Sequence, residues 1–157
     1  MMIGCLIVIA VGVVALAHMA PAPFLLDVIA GRRAVWHMPR GHPPTIYLTY
    51  DDGPNPTTTP DLLDVLAREG VRATFFVIDE HLTAETAPIV RRMFADGHAV
   101  ALHSPRKRDL LKSSAAIEQM LTAAADRIET LCGSRPCRAF RPRGGWRSAA
   151  MFAALRR

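Results

Sequence analysis

A chain of 157 residues, 50% hydrophobic and 21% charged, has room for one ordinary domain and is neither wholly disordered nor collagen-like. Three cysteines exclude a disulfide-dense scaffold. The net charge of +5 sits in the tail: from Thr130 onward there are seven arginines and no acid, against twelve basic and fourteen acidic side chains in residues 1–129.

Residues 1–26 carry no charged side chain, and Ile3 to Ala17 is a nearly unbroken apolar run. A helix over residues 1–20 is expected, serving as a signal peptide or as a membrane anchor through residues 3–20. Ala15-Leu16-Ala17 offers an A-x-A cleavage pattern. No Lys or Arg precedes the run, however, and Arg32, Arg33 and Arg40 come after it, which favours keeping the rest of the chain on the cytoplasmic side. The two roles stay open at this point. Both make the chain a membrane-anchored or secreted one, with its domain expected outside the cytoplasm. Residues 21–44, rich in proline but holding Phe24, Leu25, Val28, Ile29 and Trp36, read as a linker that straps onto a surface.

The body alternates strands and helices. Thr45–Tyr50 is β-branched and aromatic and reads as a buried strand. Thr59-Pro60 opens a helix with the stripe Leu62, Leu63, Val65 and Leu66, and Gly70 closes it. Arg72–Ile78 is a second strand. A helix capped by Thr83 comes next, with Ala87, Ile89, Val90 and Phe94 inward, and then His98–Leu102 as a third strand. Ser113 or Ser114 starts the longest helix, with Ile117, Leu121, Ala124, Ile128 and Leu131 at helical spacing and Gly133 at its end. Arg138–Phe140 begins a fourth strand. Short connections in this alternation specify an α/β fold with a parallel sheet, open or closed into a barrel.

In such folds chemistry collects at the C-terminal ends of the strands. Those ends are polar here: Asp51-Asp52-Gly53-Pro54, then Asp79-Glu80-His81, then His103-Ser104, then Arg141-Pro142-Arg143-Gly144-Gly145-Trp146. Adjacent carboxylates repel unless a cation is near, and successive residues leaving a strand point in different directions. One aspartate can therefore face a cation while its neighbour faces a water or an arginine.

Thr49 to Pro54, with Arg72-Ala73-Thr74-Phe75-Phe76-Val77 after it, resembles the opening of the polysaccharide deacetylases, carbohydrate esterase family 4. Asp96 to Ser104 is similar to the second motif of that chitooligosaccharide deacetylase homology domain, and Phe140-Arg141-Pro142 to its third. The likeness covers about residues 45–147. It implies an irregular (β/α) barrel and metal-dependent hydrolysis of acetyl groups from an acetylated polysaccharide or oligosaccharide. Its roles fall on Asp51 as the general base that activates the attacking water. Asp52 and His103 become ligands of a divalent metal, most often zinc. Arg141 holds Asp51 ionised and oriented, and the Gly144 N–H supports the oxyanion. Pro142 and Trp146 are the expected sugar contacts.

Two departures stand out. The second motif is His-Ser/Thr-x-x-His, and its last histidine is Lys107 here, so the metal keeps two ligands where a catalytic zinc normally has three. His98 and His81 are spare imidazoles, but one leads into a buried strand and the other comes after one. The expectation is that the Lys107 ammonium lies near Asp51 and Asp52 and offsets their charge in place of the metal. The family's later elements, an aspartate and tryptophan pair and a Leu-x-His general acid, have no counterpart before Arg157, so a C-terminally truncated domain is expected.

Cys132 and Cys137 bracket a turn and can be bonded or free. The competing functional readings are an impaired deacetylase, a catalytically inactive remnant or glycan-binding module, and a binder of nucleic acid or anionic lipid. Seven arginines with little aromatic interleaving make the last a weak reading, and no nucleic acid is expected.

Overall fold

The computed structural model describes residues 2–18, Val35 and 43–156. The linker and strap read over residues 21–44 lie, apart from Val35 and 43–44, outside the described residues. Helix α1 spans Met2–His18. Its 17 residues rise about 25 Å, short of the ~30 Å of hydrocarbon in a bilayer. Among the described residues no helix is long and apolar enough to cross a membrane. The expected helix is present, and a membrane-spanning role for it is not supported. Leu6, Ile7, Val8, Ile9 and Val11 on it are all exposed.

The domain is four parallel strands, β1 Thr49–Gly53, β2 Thr74–Val77, β3 Ala99–His103 and β4 Phe140–Arg141, in the spatial order β1-β2-β3-β4. Sequential order with every pair parallel is the winding of a (β/α) barrel. A doubly wound sheet would reverse direction partway. Between the strands come α2 Thr58–Arg68, α3 Ala87–Ala95 and α4 Ser114–Cys132, with α5 Ala149–Ala154 after β4. Single 3-10 turns lie at Asp79–His81, Lys107–Leu111 and Arg143–Gly145.

Several boundaries differ from the sequence reading for identifiable reasons. β1 begins at Thr49 rather than Thr45 because β2, its partner, begins at Thr74 and pairs with Thr49. Ile46 is left 87% exposed although its composition suits a buried strand. Helix α2 is entered through Asn55, whose side-chain oxygen accepts from the N–H groups of Thr57 and Thr58. Thr59 instead accepts from the Asn55 N–H. Val65 faces solvent, whereas Leu63 and Leu66 are buried. Met93 is an inward residue of α3 that the stripe did not include. Ser113 caps α4 by accepting from the Ala116 N–H at 3.3 Å, and Gly133 ends the helix at φ +75°. That left-handed turn suits glycine. Cys132 is a buried free thiol and Cys137 an exposed one, so the pair is not bonded.

Helices α2, α3 and α4 bury Leu63, Val90, Met93 and Ile128 against Phe75, Val77 and Val100 of the sheet. A smaller cluster of Leu110, Ile117, Met151 and Phe152 fastens α5 to the loop after β3 and to α4. The Ser148 hydroxyl donates to the Leu110 carbonyl at 2.6 Å, and its oxygen accepts from the Met151 N–H.

His98, 6% exposed, accepts the Ala73 N–H on Nδ1 at 3.2 Å and stands edge-on to Phe75. Burial lowers its pKa, Arg72 and Arg92 push the same way, and Asp96 opposes them. The unfolded chain takes up a proton near pH 6.5 that the folded chain refuses. Stability is therefore full above about pH 6.5 and falls below it, by at most about 1.4 kcal/mol per pH unit. Urea unfolding across this range should show that slope, and His98→Gln should flatten it.

Candidate active site

The site begins with a bulge. Asp51 pairs with Phe76 and Gly53 with Val77, so Asp52 is the extra residue of β1. Its φ is +66°, a left-handed conformation that Asp tolerates better than most side chains. The carbonyl of Asp52 accepts from His81 Nδ1 at 2.9 Å, which ties the bulge to the turn after β2. Because of the bulge the two carboxylates part company.

Asp51 turns to β4. Arg141 Nη1 donates to Asp51 Oδ1 at 2.6 Å and to Thr49 Oγ1 at 3.0 Å, while the guanidinium carbon lies 3.9 Å over the Phe76 ring. Asp52 turns to a second arginine: Arg143 Nη1 donates to Asp52 Oδ1 at 2.7 Å. The same oxygen lies 3.4 Å from His103 Nε2. Since β1 and β4 are the two outer strands, these ion pairs bridge the sheet from end to end across its mouth.

His103 is buried and oriented from behind, its Nδ1 donating to the Arg141 carbonyl at 2.7 Å. That bond puts the proton on Nδ1 and leaves Nε2 to face Asp52. Ser104, 1% exposed, accepts the Arg143 N–H on its hydroxyl at 2.7 Å. The loops over the rim are laced by Arg106, which donates to both carboxylate oxygens of Glu80 at 2.8 Å.

The expected set therefore converges: Asp51, Asp52, His103 and Arg141 share one rim. Gly144 and Pro142 line an open cleft of ≈ 830 Å³ with Asp51, Phe76, Arg141 and Gly145. Trp146 stands 37% exposed beyond the residues that line it. Lys107 is the correction. No ion pair within 4.0 Å joins it to Asp51 or Asp52, whereas Arg143 holds Asp52 directly. A Cβ added to Gly144 would meet Lys107 Cε at 2.7 Å and Nζ at 3.1 Å, so the lysine lies along the glycine turn instead. The sequence reading placed Arg143, Ser104 and His81 at the strand ends but did not anticipate these partners for them. The one available signal is two arginines flanking Pro142 opposite two adjacent aspartates.

The geometry of a shared rim at four strand ends can be set against known proteins. Residues 39–157 match the family described as polysaccharide deacetylase. The chain belongs to the polysaccharide deacetylase family. A chitooligosaccharide deacetylase of Bradyrhizobium sp. (strain ANU 289) is 42% identical over 104 residues, 65% of this chain and 47% of that one. One from Sinorhizobium fredii is also 42% identical, over 66% of this chain and 48% of its own length. The polysaccharide deacetylase domain here thus spans about half the length of the curated relatives it matches. A family 4 acetyl xylan esterase from Clostridium thermocellum, solved in complex with a cobalt ion, superposes with a TM-score of 0.63 at 32% identity. It covers 69% of this chain and 53% of its own. A peptidoglycan deacetylase from Bacillus subtilis gives 0.62 at 32% identity, covering 69% and 54%.

A divalent metal is the cofactor to test against these residues. Asp52 and His103 point donors at a common place, with His103 held by the bond from its other nitrogen as metal-ligating histidines are. A third donor is missing: among the described residues no three His, Cys, Asp or Glu side chains are grouped to hold a metal ion. A guanidinium also stands on the Asp52 oxygen. The residues present do not fit a catalytic three-ligand centre.

Proposed function

We propose that this domain is a deacetylase-type hydrolase directed at the acetamido group of an N-acetylated sugar polymer, with turnover impaired in this chain. The observation that carries the reading is the convergence of Asp51 with Arg141, which line the cleft, and of Asp52 with His103 beside them. The chitooligosaccharide deacetylases among its relatives support the substrate class. An extracytoplasmic setting accords with such a polymer and with the charge-free first segment.

In this reading the sugar lies in the cleft against Pro142, with Trp146 at its edge. Asp51, oriented by Arg141, takes a proton from a water placed beside the acetyl carbon. The Gly144 N–H donates to the carbonyl oxygen, the neighbouring N–H groups of the turn being held by the Pro142 and Arg143 carbonyls. Family members use a divalent metal here, and no step is assigned to one in this chain because its donors are incomplete. The specific feature that favours a second reading, a glycan-binding module without turnover, is the arginine on Asp52.

The test is binding and acetate release with an N-acetylglucosamine oligomer, in the presence of Zn²⁺ or Co²⁺. Binding without acetate above the buffer blank is expected. Acetate release that Asp51→Asn abolishes would show turnover intact and overturn the impairment. Absence of oligomer binding would overturn the substrate class.

A further inference from the structure

We propose that Arg143 is a built-in cation that occupies the metal position on Asp52, so that metal binding in this chain is opposed by competition as well as by the loss of the third ligand. The inference concerns the ion on Asp52 and stands whatever sugar the cleft takes.

Three observations place the arginine there by construction. Its Nη1 and His103 Nε2 address one and the same carboxylate oxygen, at 2.7 and 3.4 Å. Its backbone is fixed, because the Arg143 N–H donates to a hydroxyl on fully buried Ser104. The bulge at Asp52 aims the carboxylate at Arg143 while Asp51 is engaged by Arg141. The Asp52 carboxylate, on the oxygen that faces His103, is stabilised by positive charge beside it. Arg143 provides it.

A metal bound to Asp52 would sit at about 2.0–2.2 Å from the oxygen, and like charges on one carboxylate repel. Zinc bound at the oxygen that faces His103 must therefore displace the guanidinium. Lys107 adds a second obstacle of another kind, replacing a donor with an ammonium that lies along Gly144. The two obstacles are separable. Removing the competitor should tighten metal binding by the same factor with or without a third donor.

Zinc titration by calorimetry on the full chain and on Arg143→Gln, Lys107→His and the double variant reads this directly, with no substrate present. Arg143→Gln is expected to tighten zinc binding about tenfold, both alone and combined with Lys107→His; that factor corresponds to about 1.4 kcal/mol. Arg143→Lys in the Lys107→His background keeps the charge and should bind zinc no better than Lys107→His alone. Co²⁺ absorption in the visible supplies a second measure of occupancy, and circular dichroism confirms each variant is folded. Equal zinc affinity with and without Arg143→Gln, in both backgrounds, would overturn the competition. So would stoichiometric sub-micromolar binding by the unsubstituted chain. Oligomer binding and acetate release are scored separately, so failure of the sugar reading is told apart from failure of this one.

Discussion

Leu63→Ala is expected to destabilise the domain by about 2–5 kcal/mol, the cost of deleting a fully buried leucine and leaving the space behind it. Leu63 is 0% exposed on α2 and belongs to the cluster that holds α2, α3 and α4 on the sheet. A domain of this kind has roughly 5–15 kcal/mol in all, so the loss is a large share. Thermal unfolding should shift down by roughly 8–20 °C at about 4 °C per kcal/mol. Leu111 is the control: at 68% exposed, its change to Ala should stay within about 0.5 kcal/mol. A shift for Leu63→Ala no larger than the control would mean the helices do not pack as described.

Arg141→Met is expected to cost about 1–2 kcal/mol and to show that charge joins the outer strands. The side chain makes three contacts at once, to Asp51, to Thr49 and across the Phe76 face. Hydrogen bonds between charged groups are worth about 1.5–3 kcal/mol when buried. Arg141 and Asp51 are more than a third exposed, so solvent screening reduces that figure. The cation over Phe76 adds about 0.5–1 kcal/mol. Methionine keeps much of the apolar stem, so the difference reports on the guanidinium. A double-mutant cycle with Asp51→Asn isolates the pair. The coupling should shrink as salt rises, since screening shortens from about 30 Å at 0.01 M to about 3 Å at 1 M. A coupling near zero at low salt would mean the pair is incidental.

Much of the architecture was legible because local signals agreed with the fold. Gly133 and Ser113 mark the ends of α4, and its apolar spacing matches the face it buries, while on α2 only Leu63 and Leu66 of the stripe are buried. The rim was legible through polar residues at consecutive strand ends. What escaped the reading depends on partners remote in sequence. Thr45–Tyr47 has strand composition but no strand partner, because β2 begins at Thr74, whose N–H reaches back only to the Leu48 carbonyl. The pairing of Asp52 with Arg143 spans 91 positions and arises from a bulge that no residue near Asp52 announces. Lys107 could be recognised as the wrong residue for a ligand. Where its ammonium goes instead depends on the glycine turn that it lies along, formed by another strand's end.

The two arginine bridges also make occupancy of the rim and spreading of the sheet one linked equilibrium. Asp51 is paired with the far strand through Arg141, and Asp52 with the turn that follows it through Arg143. A ligand that takes the Asp52 oxygen held by Arg143 must release the turn after β4, and a looser turn frees that oxygen. By reciprocity, whatever splays the outer strands prepares the rim for a guest, and a guest lowers the work of splaying them by the same amount.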